Sequence, residues 1–465
     1  MMWFVLCTAS VACVLAFACA WRVRRYRKWL KWPARRQDTL ELVDCGPGLS
    51  VQIGVDGFAL PAAAVGGGRT VLLVLELHST LSGWLFDPHV EVRCGTLCRR
   101  QYFERGADGQ RYVNLTDLCA SGSAPQGFIV MRGRRLRWES AAKLLCFASP
   151  SLDAAEVLVV APHPDDAEIA AFGVYAGHLA SVVTLTAGER GSTDLSSVID
   201  NPQEAARWRA RLRVRDSLTI PQQAGIARAR CVNLVFPDGE LAALYRDPAS
   251  SILPAAHDAA ARASLRTLNP LPEFQAGTAP CTWDTLVAEL RTALELWQPS
   301  ILVCPHPLLD GHPDHVFASV ALAAALAAMP GREPLVLMYV VHARGAELYP
   351  FGPAEAVSSV PPGSRDGPLA DSIYSHSLTE SQRRAKLFAV DAHSDLRQIS
   401  TGAPRTLRAV LSTLAHELAA AFDGLGPNPA AFQRRAPRPN ELYFVASRAT
   451  FAQLVHRALS ASEAR

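Results

Sequence analysis

Two apolar runs of this chain end in the same way. Glu156-Val-Leu-Val-Val-Ala161 is closed by Pro162 and Pro164 around His163-Pro164-Asp165-Asp166. Ile301-Leu-Val-Cys304 is closed by Pro305, Pro307 and Gly311 ahead of His312-Pro313-Asp314-His315. Short β-branched stretches bounded by Pro and Gly read as buried strands, so both clusters fall on loops that leave strands. The region from Ala154 onward continues the pattern. It predicts a helix from the first cluster to about Ala180, a strand over 181–187, an Arg-rich helix over 204–223, a strand over 231–235, a helix over 284–297, and an Ala/Val-rich helix from about Asp314. Such alternation calls for a mostly parallel, doubly wound sheet. In that architecture ligands bind beyond the carboxyl ends of the strands, where both clusters lie.

Either cluster alone reads as a surface turn, because Asp and Pro are turn formers. Two of them on strand-to-helix loops of one α/β region supply what a catalytic zinc site needs: three ligands from His, Asp or Glu with the fourth position left to water. The ion lowers the pKa of that water and polarises the bond under attack. A carboxylate engaged with a metal is a poor base, so a second carboxylate is wanted, and a His without a metal can donate a proton.

At this point the residues resemble the PIG-L (LmbE-like) deacetylase family. The resemblance rests on Ala161-Pro-His-Pro-Asp-Asp-Ala-Glu-Ile169 and His312-Pro-Asp-His315. Weaker matches are Thr186-Ala-Gly-Glu189, Phe236-Pro-Asp-Gly239, and Lys386 with His393-Ser394. It covers roughly residues 150–450. It implies a Rossmann-like zinc hydrolase that removes acetyl groups from N-acetylglucosamine units on inositol lipids, small thiols, antibiotics or glycans. Carried over by position, it implies that His163, Asp166 and His315 bind the metal and that Asp165 is the general base. His312 would steady the oxyanion or protonate the leaving amine, with Asp314 orienting its ring. Glu189, Arg190, Asp238 and His393 become candidate substrate contacts. Two departures stand out: Ala170-Ala-Phe-Gly173 replaces a Gly-rich stretch and is expected to narrow the pocket beside the metal, and Asp395 replaces a Gln after His393-Ser394, which puts a role for His393 in doubt. Zinc is the expected cofactor, and Fe(II) suits the same ligands.

The first third of the chain reads differently. Residues 1–21 carry no charge and suffice to span a bilayer, and they are followed by Arg22, Arg24, Arg25, Arg27, Lys28, Lys31, Arg35 and Arg36. Charges placed after the apolar run argue against a cleaved signal peptide. The positive-inside rule then puts the catalytic domain on the cytoplasmic face, as in a bacterial inner membrane. Trp29 and Trp32 among the bases suit an interfacial segment on anionic lipid. Eleven scattered cysteines without a paired zinc-finger spacing fit a reducing compartment.

Over 39–150, short runs at 49–53, 70–77, 89–93 and 127–132 separated by Gly, Asp and Pro predict a β-sandwich-like module, either a glycan-binding or lipid-presenting domain or a spacer. The expected organisation is a transmembrane helix (1–21), a basic juxtamembrane segment (22–38), this β-rich domain (39–150) and the deacetylase-like domain (151–455). With 465 residues, 49% of them hydrophobic, the chain can bury more than one core. Its net charge of +3 and lack of nucleic-acid motifs argue against a nucleic-acid partner.

The long connections near 240–280 and 349–365 read as lids or as plain surface. Arg207, Arg211 and Arg215, with Arg209 and Arg213 as a second row, read as a solvated helical face rather than an anion site. Taken together, these features predict a membrane-anchored deacetylase of an N-acetylated amino sugar on a glycolipid or envelope-glycan precursor. A deacylase of a soluble small molecule and a non-catalytic glycan-binding or scaffold protein are the alternatives.

Overall fold

The computed structural model describes residues 48–120, 127–191, 193, 195, 198–276, 279–363, 367–396 and 435–463, with short stretches between Cys19 and Leu30. The expected transmembrane helix lies, apart from 19–21, outside the described residues. Among the described residues no helix is long and apolar enough to cross a membrane.

The β-rich module is a sandwich. One sheet places β1 (Leu49–Gln52), β9 (Ala141–Ala148), β3 (Arg69–Ser79) and β6 (Asp108–Asn114) side by side, with β8 (Leu136–Trp138) also on β3. The other runs β2 (Gly57–Ala59), β7 (Phe128–Arg134), β4 (His89–Cys94), β5 (Leu97–Tyr102), and all pairings are antiparallel. Val71, Leu73, Leu75 and Leu77 of β3 enter the sandwich core, which α1 (Thr116–Ala120) closes with Leu118 and Cys119. The alternate residue Leu72 joins Tyr112, Leu145 and Phe147 in the core of the second domain. Burial on both faces is why β3 reads as a continuous apolar run rather than an alternation. The seam is also polar: Asn114 Nδ2 donates to Ser375 Oγ and the Ser375 amide donates to Thr70 Oγ1, each at 2.8 Å.

The second domain is built on a seven-stranded sheet in the order β12 (Cys231–Phe236), β11 (Ala180–Thr186), β10 (Val157–Ala161), β13 (Ile301–Pro305), β14 (Leu335–Tyr339), β16 (Asn440–Ala446), β15 (Ser372–Ser377). The first five are parallel and β16 runs antiparallel to both neighbours, so the mostly parallel sheet is as expected. Leu158 and Val160 of β10 face a core shared with α7 (Trp283–Trp297), α8 (Pro313–Ala327) and α10 (Arg448–Glu463); Val157, Val159 and Ala161 face the opposite core with α3 (Phe172–Tyr175). Chain order reverses between β10 and β13. That neighbouring pair is the topological switch point of the sheet, and each of its strands carries one of the two His-Asp loops.

Three expectations are corrected. The single helix expected up to Ala180 is two short ones, α2 (Asp166–Ala170) and α3, broken at Ala171. The Gly173 amide, which a continuous helix would pair with Ile169, donates instead to both carboxylate oxygens of Glu441 at 3.0 Å. The connection near 240–280 is not irregular: it folds into α5 (Leu241–Arg246) and α6 (Ala259–Arg266), and the buried Arg262 and Arg266 donate to the Val235 and Leu234 carbonyls at the end of β12. In the 349–365 connection, buried Arg438 pins the chain by donating to the carbonyls of Pro350, Phe351, Gly352 and Ala356.

The described part of the basic segment packs on protein. Tyr26 and Leu30 are buried with Ala343, Ala346, Leu348, Tyr349 and Phe351, and the Tyr26 hydroxyl accepts from the Arg105 amide. Trp29 and Trp32 lie outside the described residues.

Candidate metal centre

The β10 loop turns sharply because the Asp166 amide donates to the His163 carbonyl at 3.3 Å while Asp166 Oδ2 reaches back to accept from the His163 amide at 2.9 Å, which places both side chains on one side of the loop. The β13 loop is ordered by helix capping. His312 is the N-cap of α8, Pro313 occupies N1, and His312 Nδ1 accepts from the Asp314 amide at 3.2 Å.

Because β10 and β13 are adjacent, the two loops meet. His163 Nδ1 lies 3.1 Å from Asp166 Oδ2, His315 Nε2 lies 3.1 Å from the same oxygen, and the two ring nitrogens are 3.3 Å apart. A tetrahedral ion with bonds of about 2.0–2.1 Å separates its ligand atoms by roughly 3.3 Å. The three side chains expected as ligands therefore present their donor atoms at the spacing of one face of that tetrahedron. The outer ring nitrogens are engaged as metal-binding imidazoles require: His315 Nδ1 is 3.1 Å from Asp310 Oδ2, and His163 Nε2 is 3.2 Å from Asp314 Oδ2 and 3.4 Å from Asp238 Oδ1. Other groupings bring ligand atoms within 4.8 Å, namely His163 with Asp238 and Asp314, His163 with His312 and His315, and Asp166 with His315 and the exposed His342. The first is the weaker candidate, since Asp314 Oδ2 is already taken by the Gly239 amide at 2.6 Å and its Oδ1 by the Leu241 amide.

The electrostatics fit a cation. Burial opposes charge on His315, yet Asp166 and Asp310 hold its imidazolium up to about 10. Burial likewise opposes a charged His163, which Asp166, Asp238 and Asp314 overcome to raise its pKa well above the usual range. Burial would raise Asp310, but His315 lowers it to about 2. Without a metal, then, the buried carboxylates hold protons on two imidazoles. Their negative charge suits a divalent ion equally well.

The remaining candidates divide. Asp165, the residue before α2, stays out of the ligand triangle with its Oδ1 accepting from Arg213 Nη2 at 3.1 Å. His312 faces the site, with its ring centroid 4.7 Å from that of His163. Burial and the neighbouring His163 and His315 lower its pKa to about 4, and with Nδ1 accepting, its proton sits on Nε2. Asp314 does orient His312, but through its backbone amide; its carboxylate serves His163.

Asp238 Oδ1 lies 3.4 Å from His163 Nε2 and its Oδ2 accepts from the Arg190 amide at 3.2 Å, which places it beside the candidate ligands. Glu189 is buried and clamps the amides of Asp238 and Ala255, and burial raises its pKa to about 7. Arg190 is half-exposed at the rim and pairs with Glu240. His393 makes its hydrogen bond outside the ligand triangle. It is buried 2.9 Å from Glu168 Oε2, and the departure at Asp395 has another use, since Asp395 accepts from Arg213 Nη1 and from the Thr193 amide. Within the Ala170–Gly173 stretch, Gly173 lies against His376 and Glu441, and Ala170 lines a cavity with Tyr339, Val341 and Lys386.

The Arg-rich helix, α4 (Pro202–Thr219), is not a wholly solvated face. Its second row turns inward: Arg213 is buried, and Arg209 donates to the Glu189 carbonyl. Asp310, Arg213 and His342 were not among the expected site residues. Asp310 had a local signal, since it precedes Gly311 at the end of the same Pro-bounded loop.

Residues 158–326 match the family model described as GlcNAc-PI de-N-acetylase, PIG-L. No curated protein matches the chain. Among solved structures, the zinc-inhibited form of teicoplanin deacetylase Orf2 is similar over 62% of this chain and 97% of its own, at 17% identity and a TM-score of 0.32. The A40926 pseudoaglycone deacetylase Dbv21 is similar over 62% and 96%, at 17% and 0.31. GalB, the 4-carboxy-2-hydroxymuconate hydratase of Pseudomonas putida, is similar over 63% and 95%, at 16% and 0.30. With both His-Asp loops inside the matched span, residues 158–326 of this chain constitute a PIG-L family domain.

Proposed function

We propose that this chain is a metal-dependent hydrolase that removes the N-acetyl group from an amino sugar carried by a glycolipid or an envelope-glycan precursor. The observation that carries this reading is the triangle of His163 Nδ1, Asp166 Oδ2 and His315 Nε2, with edges of 3.1–3.3 Å, inside a PIG-L family domain. A divalent ion held by these atoms, zinc or Fe(II), supplies a Lewis acid for the amide carbonyl and a water of lowered pKa. Asp165, outside the triangle, accepts the proton of the attacking water, and Arg213 fixes the carboxylate that does so. His312 presents its Nε2 proton as a hydrogen bond to the oxygen that gains charge, and the proton taken up by Asp165 passes to the departing amine. Asp310 and Asp314 hold the two ligand imidazoles in the required tautomers.

In this reading the apolar run 1–21 anchors the protein in a membrane with the catalytic domain on the cytoplasmic side. Support comes from Tyr26 and Leu30, which pack on residues 343–351, the stretch that begins beside His342. That contact keeps the chain leaving the anchor next to the metal cluster, as suits a lipid-borne substrate.

The test is acetate release by metal-loaded protein from N-acetylglucosaminyl lipids and from soluble N-acetylated amino sugars, with and without chelator. Faster release from the lipid forms, lost on chelation and restored by zinc or Fe(II), is expected. Absence of release from every N-acetylated sugar would overturn the assignment.

A further inference from the structure

The outer face of the β2-β7-β4-β5 sheet carries a concentration of arginine that neither the sandwich core nor the metal centre uses. Strand register sets it out in rows: Arg100 beside Glu91 beside Arg132, Cys98 beside Arg93 beside Val130, and Tyr102 beside His89 beside Arg134. The Arg93 and Arg100 side chains are more than half exposed, Arg132 and Arg134 are exposed, and Glu91 is the one acid in these rows. Across the strands Glu91 lies between Arg100 and Arg132 and pairs with Arg100, and the surplus of positive charge left in the three rows is what an anionic partner would meet. The positive field reaches the ring beneath it, since burial and then Arg100, Arg135 and Arg134 hold His89 below its usual range.

The face also has a fixed position relative to the N-terminus. Tyr102, at the end of the third row, packs against the cluster that buries Tyr26 and Leu30, and the Arg27 guanidinium lies 5.6 Å over the Trp84 ring of the same sandwich. The chain coming from the uncharged run 1–21 thus meets the folded body at the edge of the arginine face.

We propose that this sheet face rests on the anionic headgroups of the bilayer that the N-terminal run enters, so that the sandwich orients the metal centre over the membrane. The proposal builds on the membrane placement above. Four arginines against one glutamate, exposed and within a Debye length of the surface, suit anionic lipid, and each such residue adds appreciably to attraction.

Cys98 is a free thiol on this face and provides a native probe. The full chain is mixed with vesicles of phosphatidylcholine alone or with phosphatidylglycerol, and maleimide labelling of Cys98 is followed by peptide mass spectrometry. Labelling is expected to slow at least roughly tenfold on the phosphatidylglycerol vesicles only, and to recover in high salt. Recovery is also expected in the Arg93→Gln, Arg100→Gln, Arg132→Gln, Arg134→Gln variant, whose retained metal content checks its fold. Sedimentation with pure phosphatidylcholine vesicles reads the anchor separately, so failure of the anchor and failure of the face are distinguishable. Equal Cys98 labelling on the two lipids by the wild-type chain overturns the proposal, as does slowing that persists in the variant. Equally strong protection by DNA, heparin or soluble glycerol phosphate would assign the face to another anion and also overturn it.

Discussion

Asp310 Oδ2 lies 3.1 Å from Nδ1 of His315, and both side chains are fully buried. The same oxygen accepts from the Val341 and His342 amides, and Asp310 Oδ1 accepts from the His312 amide. One carboxylate thus ties the β13 loop, the end of β14 and a ligand imidazole together. Asp310→Asn is expected to weaken metal affinity by roughly 10–100-fold with the ligands intact, measured by competition with a chromogenic chelator. Unchanged affinity would show that His315 needs no such support.

Asp165→Asn separates the base from the ligands. Metal content should stay at one ion per chain by elemental analysis while turnover falls by roughly 10²–10⁴. Loss of the metal in this variant would make Asp165 a ligand instead.

Arg213 bridges Asp165 at 3.1 Å and Asp395 at 2.7 Å, which a planar guanidinium can do and a single ammonium cannot. Arg213→Lys should reduce kcat on the order of 10²-fold with KM and metal content little changed. A change confined to KM would point to direct substrate contact by this arginine.

Gly173 has no room for a side chain. A Cβ there would meet His376 Cδ2 and Leu378 Cδ2 at 2.6 Å and Glu441 Oε2 at 2.9 Å. Gly173→Ala should destabilise the protein by about 1–3 kcal/mol through displacement of Glu441 from the Gly173 amide and from Lys386, read as a lowered urea midpoint. Steady-state activity of the folded fraction should persist, because the contact lies away from the ligand triangle.

His306 is buried as the neutral ring. Its Nε2 donates to the Leu369 carbonyl at 3.0 Å, Nδ1 accepts from the Leu308 and Leu309 amides, and burial lowers its pKa to about 4. The unfolded chain, with an imidazole near 6.5, binds more protons than the folded one between those values. The stability owed to the neutral ring is therefore complete above about pH 6.5 and falls as pH drops toward 4, by about 3 kcal/mol in all. In His306→Phe that dependence disappears, so the gap in urea midpoint between wild type and variant should shrink from pH 7 to pH 4.5. A constant gap would contradict the neutral assignment.

Much of the metal centre was legible in the residues because its first determinants are local. His163 sits on the loop leaving β10, Asp166 opens α2 and His315 lies in the first turn of α8, places whose boundaries are written by Pro, Gly and short β-branched runs, and the alternation after Ala154 sets the class of sheet. Strand order is a different matter. Only the assembled sheet puts β10 beside β13, and that adjacency brings two distant loops within 3.3 Å.

The partners of the supporting carboxylates were hidden for the same reason. Asp238 lies at the end of β12 and Asp395 follows α9 (Glu380–Ala392), and neither has a sequence neighbour that reveals its partner. Arg213 looked like one of five surface arginines until the packing of α4 turned it toward Asp165, on the loop after β10, and Asp395. Likewise β3 announced itself as apolar, yet only tertiary packing decided that its second face seals the two domains together. Local propensity and spacing determine which side chains a loop can offer. Which loops meet, and so which charges compensate one another, follows from burial of whole sheet faces, a property of the folded chain that no short window of sequence contains.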